Sequence, residues 1–400
     1  MHARTIVARL IEPCLESLHR KRSAALMRVT AGLLRGGVSS LSGIALWLDG
    51  STRLKHRLKS VDRLLGNRAL HDQRDELYRQ VAWMWLSDLS RILVVVDWSD
   101  LSQDQCWHWL RASVVVQGRS ITLYEQVHPQ KKLGNPRVHW EFLRRLAKIL
   151  PAGCRPIVMT DAGFHAPWFK AVAALGWEFV GRVRGRNQLC LQNTQTWTPA
   201  RDLYVRAGAE VRDLGVGAYA RSNAVSVRAI LAKRPDKGRH RLNVHGKRRA
   251  GRSSAKAARS AREPWLLVCS PSLGYLQPQA IVALYAQRMR IEQSFRDTKN
   301  LRWGLGLEVS RSHGRVRLEM LLLIAHLTSL IQRLIGQSIK QHQQELNFMA
   351  TRRPDRAEIS ELTLARRMLD VGEIHFQNLL PWQAIPPLRN QATTACVGAA

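Results

Sequence analysis

The sequence is short of acidic residues. Only 30 of its 400 residues are Asp or Glu, against 62 that are Lys or Arg, so the formal net charge is +32 at pH 7. Such an excess of positive charge favours a polyanionic partner, and nucleic acid is the commonest one. Apolar residues make up 45% of the chain, a proportion that excludes a wholly disordered protein.

Cysteine is also scarce, and no membrane-like segment stands out. The six cysteines are scattered, without a Cys-x2-Cys pair or a His–Cys pair at ligand spacing, so neither a zinc site nor a disulfide framework is predicted. No secretory signal is predicted. The most apolar stretch, Leu318–Ile335, contains Glu319 and Arg333, which predicts a buried helix rather than a membrane span. We expect a cytoplasmic, nucleoid-associated protein with no membrane partner.

The length of the chain predicts several domains, because one hydrophobic core stops growing well below 400 residues. Short amphipathic pieces with a basic middle predict a helical DNA-binding region over residues 1–88, a solvated helix face being the alternative. Residues 89–184 and 271–337 predict the two parts of an α/β core, a mixed sheet flanked by helices. Residues 185–270 predict a β-rich insertion, and residues 338–400 a C-terminal helical region with a tail.

One segment of the insertion is dominated by positive charge. Residues 233–262 contain twelve Lys or Arg and a single acid, Asp236. The remaining composition, rich in Gly, Ser and Ala, predicts a mobile basic loop. Two interpretations stay open: the loop adds contacts to target DNA, or it is a tolerated insertion.

Two carboxylates follow apolar runs that are typical of buried strands. Asp97 comes directly after Val94-Val95-Val96, and Asp161 follows Val158-Met159-Thr160. A carboxylate at such a place loses hydration unless something positive compensates it. A metal ion does so, and open α/β sheets place active sites at the ends of their strands. Either residue alone also fits an ordinary turn.

A third carboxylate lies in a predicted helix over residues 278–299. At 100° per residue its polar side chains fall on one face about 80° wide. They are Tyr285, Arg288, Glu292, Arg296 and Lys299. Two interpretations fit this face. It is either a solvated face with ordinary i,i+4 ion pairs, or Glu292 holds a metal ion while the cations bind the flanking phosphates.

The spacing Tyr-x2-Arg-x3-Glu-x6-Lys over residues 285–299, preceded by two strand-end Asp residues, resembles the signature of bacterial DDE transposases of the insertion-sequence-four type. The resemblance covers about residues 90–335. It implies an RNase H-like core in which Asp97, Asp161 and Glu292 bind two Mg2+ ions, with Mn2+ able to substitute. The implied function is a transposase that cuts the ends of a mobile element and joins the 3′ ends to target DNA.

The resemblance also implies roles for the neighbouring residues and for partners. Tyr285, Arg288 and Lys299 would contact DNA phosphates beside the cleaved end, and Arg296 shares their predicted face. Trp265 matches an aromatic that stacks on a flipped base while the end closes into a hairpin; the alternative is a core residue opening a buried strand. The implied partners are the terminal inverted repeats, target DNA, and a second copy of the chain in a synaptic homodimer.

Two other functions fit the same residues. One is a catalytically inactive, transposase-derived DNA-binding protein, and the other is a stand-alone RNase H-like nuclease. The presence of all three carboxylates speaks against an inactive relic. A β-rich insertion and a helical N-terminal region are more than a simple nuclease needs.

Overall fold

The computed structural model describes residues 3–102, 104–191, 195–233, 251, 262–349, 359–371 and 381–397. The chain divides into two compact units. The first unit comprises Met1–Cys154 and Met289–Ala395, and the second comprises Arg155–Arg288 and Cys396–Ala400. The domain boundaries predicted at 88, 184, 270 and 337 stay predictions. Apart from residues 233, 251 and 262, the basic loop predicted over 233–262 lies outside the described residues.

Helices make up most of the first 86 residues and most of the last 110. In chain order the α-helices are α1 (Ala3–Ile11), α2 (Arg20–Gly36), α3 (Leu41–Ala45), α4 (Leu54–Leu65), α5 (Arg68–Asp72), α6 (Arg74–Leu86), α7 (Pro136–Ile149), α8 (Ala166–Ala174), α9 (Ala200–Leu203), α10 (Pro278–Ala286), α11 (Met289–Lys299), α12 (Arg315–Gln341), α13 (Glu361–Val371) and α14 (Ile385–Val397).

The strands lie between α6 and α10. They are β1 (Leu93–Asp100), β2 (Trp107–Val116), β3 (Arg119–Pro129), β4 (Ile157–Thr160), β5 (Glu178–Val183), β6 (Gln188–Leu191), β7 (Thr198–Pro199), β8 (Arg212–Tyr219), β9 (Val225–Ala232) and β10 (Trp265–Cys269). Parallel and antiparallel pairs both occur, and helices flank the strands. This mixed α/β architecture confirms the predicted fold class and is consistent with an RNase H-like transposase fold.

The sheet of the first unit is an antiparallel meander in the order β3-β2-β1. The turn between β2 and β3 contains Gly118 at φ 72°, a left-handed conformation that glycine adopts without steric cost. Nearly every residue of β2 and β3 is buried, because helices of the same unit cover this hairpin. The register pairs Asp97 of β1 with Arg111 of β2, which becomes important below.

Helix α12 is the core helix of the first unit. By length and composition it is apolar enough to cross a membrane, yet 94% of its most apolar window is buried inside the protein. This confirms the predicted buried helix. The N-terminal helices α1, α2 and α4 pack against it, so the helical N-terminal region shares its core with the rest of the first unit.

In the second unit the strand order is β4-β5-β10-β9-β8-β6-β7. Strands β4 and β5 are parallel and are joined through α8, while the other pairs are antiparallel. Gly181 of β5 lies under the ring of Phe169 from α8, where any Cβ atom would collide with that ring. The close approach of helix and sheet therefore depends on glycine at this position.

A buried carboxylate joins α12 to the sheet of the first unit. Glu319 Oε2 lies 2.6 Å from Nε2 of His71 and 2.7 Å from Nη1 of Arg74. Its Oε1 accepts hydrogen bonds from the Val127 backbone N–H at 3.0 Å and from Arg315 Nε at 3.2 Å. Burial by itself would raise the pKa of Glu319, but these partners outweigh it and lower the pKa to about 2.

We expect acid to weaken the fold through Glu319. Because its pKa is lower in the folded chain than in an unfolded one, the carboxylate contributes its full stabilisation above about pH 4.5. It loses that contribution as the pH falls toward about 2. At about 1.4 kcal/mol per pKa unit the loss amounts to about 3 kcal/mol. Denaturant titrations from about pH 5 to pH 3 would measure the decline of the unfolding free energy.

The variant Glu319→Gln serves as the control. It should lower the unfolding free energy at neutral pH by about 3–5 kcal/mol, because Arg74 is left buried without its anion. It should also remove the part of the acid dependence that Glu319 causes. An unchanged acid dependence in this variant would assign the effect to other carboxylates.

Candidate active site

Asp97 lies at the fifth position of β1, where the strand changes from fully buried to half-buried residues. Its Oδ1 accepts a hydrogen bond from the Trp98 backbone N–H at 2.8 Å. The indole of Trp98 in turn donates from Nε1 to Nε2 of His139 on α7 at 3.0 Å. The side chain of Trp98, the residue after Asp97, is therefore attached to α7.

Arg111, the cross-strand partner of Asp97, connects the sheet to α11. Its side chain is buried; Nε lies 2.8 Å from Glu125 Oε2, and its Nη atoms donate to Ser294 at 2.9 Å and Thr298 at 3.3 Å. Burial lowers the pKa of Arg111, although the Glu125 carboxylate opposes that shift. Residues paired across antiparallel strands point to the same face of the sheet. Asp97 therefore lies on the face that α11 covers.

Contacts at its two ends show how α11 runs along β1. At the C-terminal end, Lys299 Nζ donates to Ser99 Oγ at 2.7 Å. At the N-terminal end, Arg290 donates to the carbonyl oxygen of Val116, which the sheet register puts level with the start of β1. Helix and strand thus run in the same direction across this face.

Glu292 lies on the flank of α11 that also carries Lys299, because seven residues bring a helix to within about 20° of two full turns. It lies seven residues before Lys299, which is two turns of helix, about 10 Å along the axis. Asp97 lies two residues before Ser99, about 7 Å along the strand. Both carboxylates are half-buried. The packing of the first unit therefore places the part of α11 that carries Glu292 alongside the part of β1 that carries Asp97.

The charge around this flank of α11 is mostly positive. Lys299 is half-buried, and burial lowers its pKa while Asp100 opposes that shift. Arg296 is exposed on the same helix. Asp100 is exposed at the end of β1, with its Oδ1 3.1 Å from Nδ1 of His108. Asp100 comes three residues after Asp97, and residues an odd number of positions apart on a strand point to opposite faces.

Asp161 belongs to the second unit. It directly follows β4 and is half-buried, and its Oδ1 accepts the Gly163 backbone N–H at 2.8 Å. This hydrogen bond makes a local turn that begins at the end of the strand, as the apolar run before it predicted. The turn is followed directly by α8, which covers the sheet of the same unit.

The predicted metal ligands suit a hard divalent cation by their chemistry. All three are carboxylates, and oxygen donors select Mg2+ or Mn2+ over Zn2+. Within the described part of the chain, however, no three His, Cys, Asp or Glu side chains are grouped closely enough to hold one metal ion together. The donor types therefore fit the implied cofactor, and their roles as ligands remain a prediction.

The predicted single helix over residues 278–299 is wrong. Helix α10 ends at Ala286 and α11 begins at Met289, because the N–H groups of Gln287 and Arg288 bond carbonyl oxygens three residues back, each at 3.0 Å. Such a turn advances about 120° per residue instead of 100°. Tyr285 and Arg288 therefore lie outside the helix that carries Glu292, Arg296 and Lys299, and they belong to the second unit.

Trp265 and Tyr285 lie together in the second unit. Trp265 opens β10 and is half-buried, and its ring meets that of Tyr285 edge-on, with centroids 4.9 Å apart and an interplanar angle of 84°. Tyr285 is only 3% exposed. Its ring thus supports the indole from within the core, and any contact of Trp265 with DNA would use the remaining surface of that indole.

The residues that hold α11 against the sheet were not predicted from the sequence. Arg111 stands alone in an apolar strand, and Glu125 lies at the mirror position across the Gly118 turn. Opposite charges at mirrored positions of a predicted hairpin are a readable signal of a cross-strand pair. The bond between Lys299 and Ser99 left no such signal, because it depends on the tertiary packing of α11.

A double-mutant cycle tests the packing of Trp265 on Tyr285. We expect Trp265→Ala and Tyr285→Ala to be non-additive in unfolding free energy by about 0.5–1.5 kcal/mol, as for other edge-on aromatic pairs. Chemical denaturation of the four proteins measures this coupling. The control cycle pairs Trp265 with Tyr219, a buried ring of the same unit that packs on Phe169 instead, and it should be additive. Additive behaviour of Trp265 with Tyr285 would contradict the contact.

The chain matches a known protein family. A family model of the transposase DDE domain matches residues 89–330, a span that contains Asp97, Asp161 and Glu292 and amounts to more than half of the chain. No curated protein sequence matches the chain significantly. With its mixed α/β architecture and with Asp97 facing the helix of Glu292, the chain belongs to the DDE transposase family.

Proposed function

We propose that this protein is a DNA transposase of the insertion-sequence-four type that cuts the ends of a mobile element and joins the 3′ ends to target DNA. The observation that carries the proposal is the placement of Asp97 on the sheet face covered by the helix of Glu292. Family membership supplies the reaction class. Its place of action would be the nucleoid of the cytoplasm, and its working form a homodimer that pairs two ends.

The chemistry proposed is in-line phosphoryl transfer. A water oxygen attacks the phosphorus and the 3′ oxygen leaves. The freed 3′ hydroxyl then attacks a phosphate of the opposite strand, whose oxygen to the flanking DNA leaves, and this closes the hairpin. Water reopens the hairpin and frees the 3′ hydroxyl again, which attacks a target phosphate and displaces a 3′ oxygen of the target. Asp97, Asp161 and Glu292 would hold two ions of the Mg2+ class, which when bound stabilise the attacking and leaving oxygens. No covalent bond to the protein forms in this scheme, so no nucleophilic side chain is required.

Positive groups on the elements beside these carboxylates would hold the DNA. The Lys299 amine donates a hydrogen bond to Ser99 of β1. Arg296 lies about one turn before Lys299 on α11 and is exposed. Arg288, the residue directly before α11, belongs to the second unit and is half-buried. Phosphates bound by such groups would position the backbone, while sequence would be read elsewhere.

Trp265 would act while the opposite strand closes into a hairpin. That step distorts the duplex end and unstacks a base at a cost of a few kcal/mol. An indole held edge-on by Tyr285 has little freedom left to lose, which suits a stacking platform for the displaced base. Stacking on an aromatic contributes about 1–3 kcal/mol per base.

We expect Asp97→Asn, Asp161→Asn and Glu292→Gln each to abolish cleavage and joining and to leave DNA binding within about twofold. Each change keeps the size of the side chain and removes one anionic metal ligand, whereas binding depends on the cationic surface. Labelled duplexes carrying the element end, assayed with and without Mg2+, would measure nicking, release and joining separately.

Glu141→Gln is the matched control, because Glu141 is an exposed acid of α7 in the same unit and has no role in the proposed site. It should cut and join like the unmodified protein. Cleavage by Glu292→Gln at the normal rate would overturn the triad. If the unmodified protein only binds, it is an inactive relative of transposases; if it cuts without joining, it is a nuclease.

Trp265→Ala separates hairpin closure from simple hydrolysis. The first nick needs only water, the metal ions and a positioned phosphate, so it should proceed at a near-normal rate. Closure of the second strand should slow by about 5- to 150-fold, which corresponds to about 1–3 kcal/mol of lost stacking. Gel analysis over time should show nicked ends accumulating while released ends become rare.

Trp265→Phe keeps an aromatic ring and should retain much of the release rate. Thermal unfolding of both variants checks folding, because truncation of a packed Trp can itself cost about 3–5 kcal/mol. A folded Ala variant that nicks and releases ends at normal rates would make Trp265 a packing residue only.

A further inference from the structure

The segment that joins α11 to α12 exposes a large aromatic ring. Trp303 is 61% exposed, the largest exposed fraction among the tryptophans that the structure describes, and its neighbour Leu301 is 47% exposed. A ring of this size gains considerably from being covered. It lies four residues after Lys299, on the segment that directly continues the helix of Glu292.

Hydrogen bonds fix the main chain that carries this ring. The Trp303 N–H donates to Asn300 Oδ1 at 2.7 Å, and the Leu301 N–H donates to Glu308 Oε1 at 2.8 Å. At Gly304 any Cβ atom would collide with the main chain of α11's last turn. The turn is therefore tightly closed, so covering the ring would cost little backbone entropy.

The surroundings of Trp303 carry positive charge. The guanidinium carbon of Arg302 lies 4.8 Å from the centroid of the Trp303 ring. Across the described residues Arg302 forms no ion pair. Further along the same segment, Arg311, Ser312 and His313 line an open groove. An exposed ring flanked by an arginine and followed by a cationic groove fits a nucleic acid, which offers flat bases and phosphates together.

We propose that Trp303 stacks on the terminal base of the DNA end that the enzyme cuts, while Arg302 binds a neighbouring phosphate. The inference rests on the proposed transposase function and adds a contact on the first unit. An intact duplex hides the faces of its bases, whereas a cut end presents one. Because the segment follows Lys299, which is proposed to bind beside the cleaved phosphate, the exposed base face would lie within its reach.

Binding of the full-length protein to two duplexes tests the contact. One duplex ends at the cleavage site of the element end, and the other embeds the same sequence in longer flanking DNA. We expect Trp303→Ala to weaken binding of the cut end by about 5- to 150-fold and to affect the embedded sequence much less. Trp303→Phe should retain most of the affinity. Fluorescence anisotropy over a series of salt concentrations measures both.

The salt series separates stacking from charge. Stacking releases no counterions, so Trp303→Ala should shift the affinity and leave the slope of log K against log salt unchanged. Arg302→Gln should reduce that slope by about 0.9, the value for one phosphate contact. An abasic terminal nucleotide should remove the difference between Trp303→Ala and the unmodified protein, because no base then remains to stack.

Two control variants should bind like the unmodified protein. Leu301→Ala removes the neighbouring exposed side chain, and Trp140→Ala removes an exposed tryptophan of α7, 38% exposed. Equal binding of the cut end by Trp303→Ala and the unmodified protein would overturn the inference and leave the transposase function standing. A changed oligomeric state in sedimentation with unchanged DNA affinity would assign the ring to a contact between copies. An unmodified protein that binds neither duplex would remove the proposed function itself.

Discussion

The buried ion pair between Arg111 and Glu125 is the constraint on which the candidate site depends. Both side chains are almost fully buried, 2% and 0% exposed, in the middle of the β2–β3 hairpin. Taking two charges out of water costs several kcal/mol each unless their remaining hydrogen-bonding groups are satisfied. Glu125 also accepts hydrogen bonds from Trp109 Nε1 at 2.6 Å and from the Tyr78 hydroxyl at 3.2 Å. The carboxylate is therefore well compensated.

What this pair provides is position rather than net stability. An apolar pair of similar volume would pack the hairpin as well, but it would leave Ser294 and Thr298 of α11 without the guanidinium that they contact. Arg111 thereby sets the height and rotation of α11 over the sheet. Since Asp97 is the cross-strand neighbour of Arg111, the same side chain fixes the face on which the Glu292 helix meets β1.

The parts of the structure that were predictable from sequence are those set by local pattern. The run Val94–Val96 predicted β1, and the apolar period of Leu318–Ile335 predicted the core helix, because burial alone determines both. The break at Gln287 was not predictable in this way, because no Gly or Pro marks it in the sequence. The tight turn is visible only from the backbone hydrogen bonds of the folded chain. The strands β6 and β7 were not predicted, because they are short and mix polar with apolar residues.

The site itself was predictable in identity but not in arrangement. Strand-end acids and the spacing of Glu292 and Lys299 named the residues, yet the bond between Lys299 and Ser99 and the support of Trp265 by Tyr285 depend on packing between distant segments. Sequence patterns carry residue types and periods. They do not carry the register in which two elements of one unit meet.

The charge of the chain makes selectivity for a DNA end a separate problem from affinity. A net charge of +32 attracts any duplex, and such binding weakens with salt in proportion to the phosphates contacted. Discrimination must therefore come from groups whose contribution does not depend on counterion release. Aromatic rings are suited to this, because a stacked base is gained only where the duplex has been opened or cut. The half-buried Trp265, packed on the Tyr285 ring, and the exposed Trp303, on a main chain fixed by hydrogen bonds, are two such groups on different units.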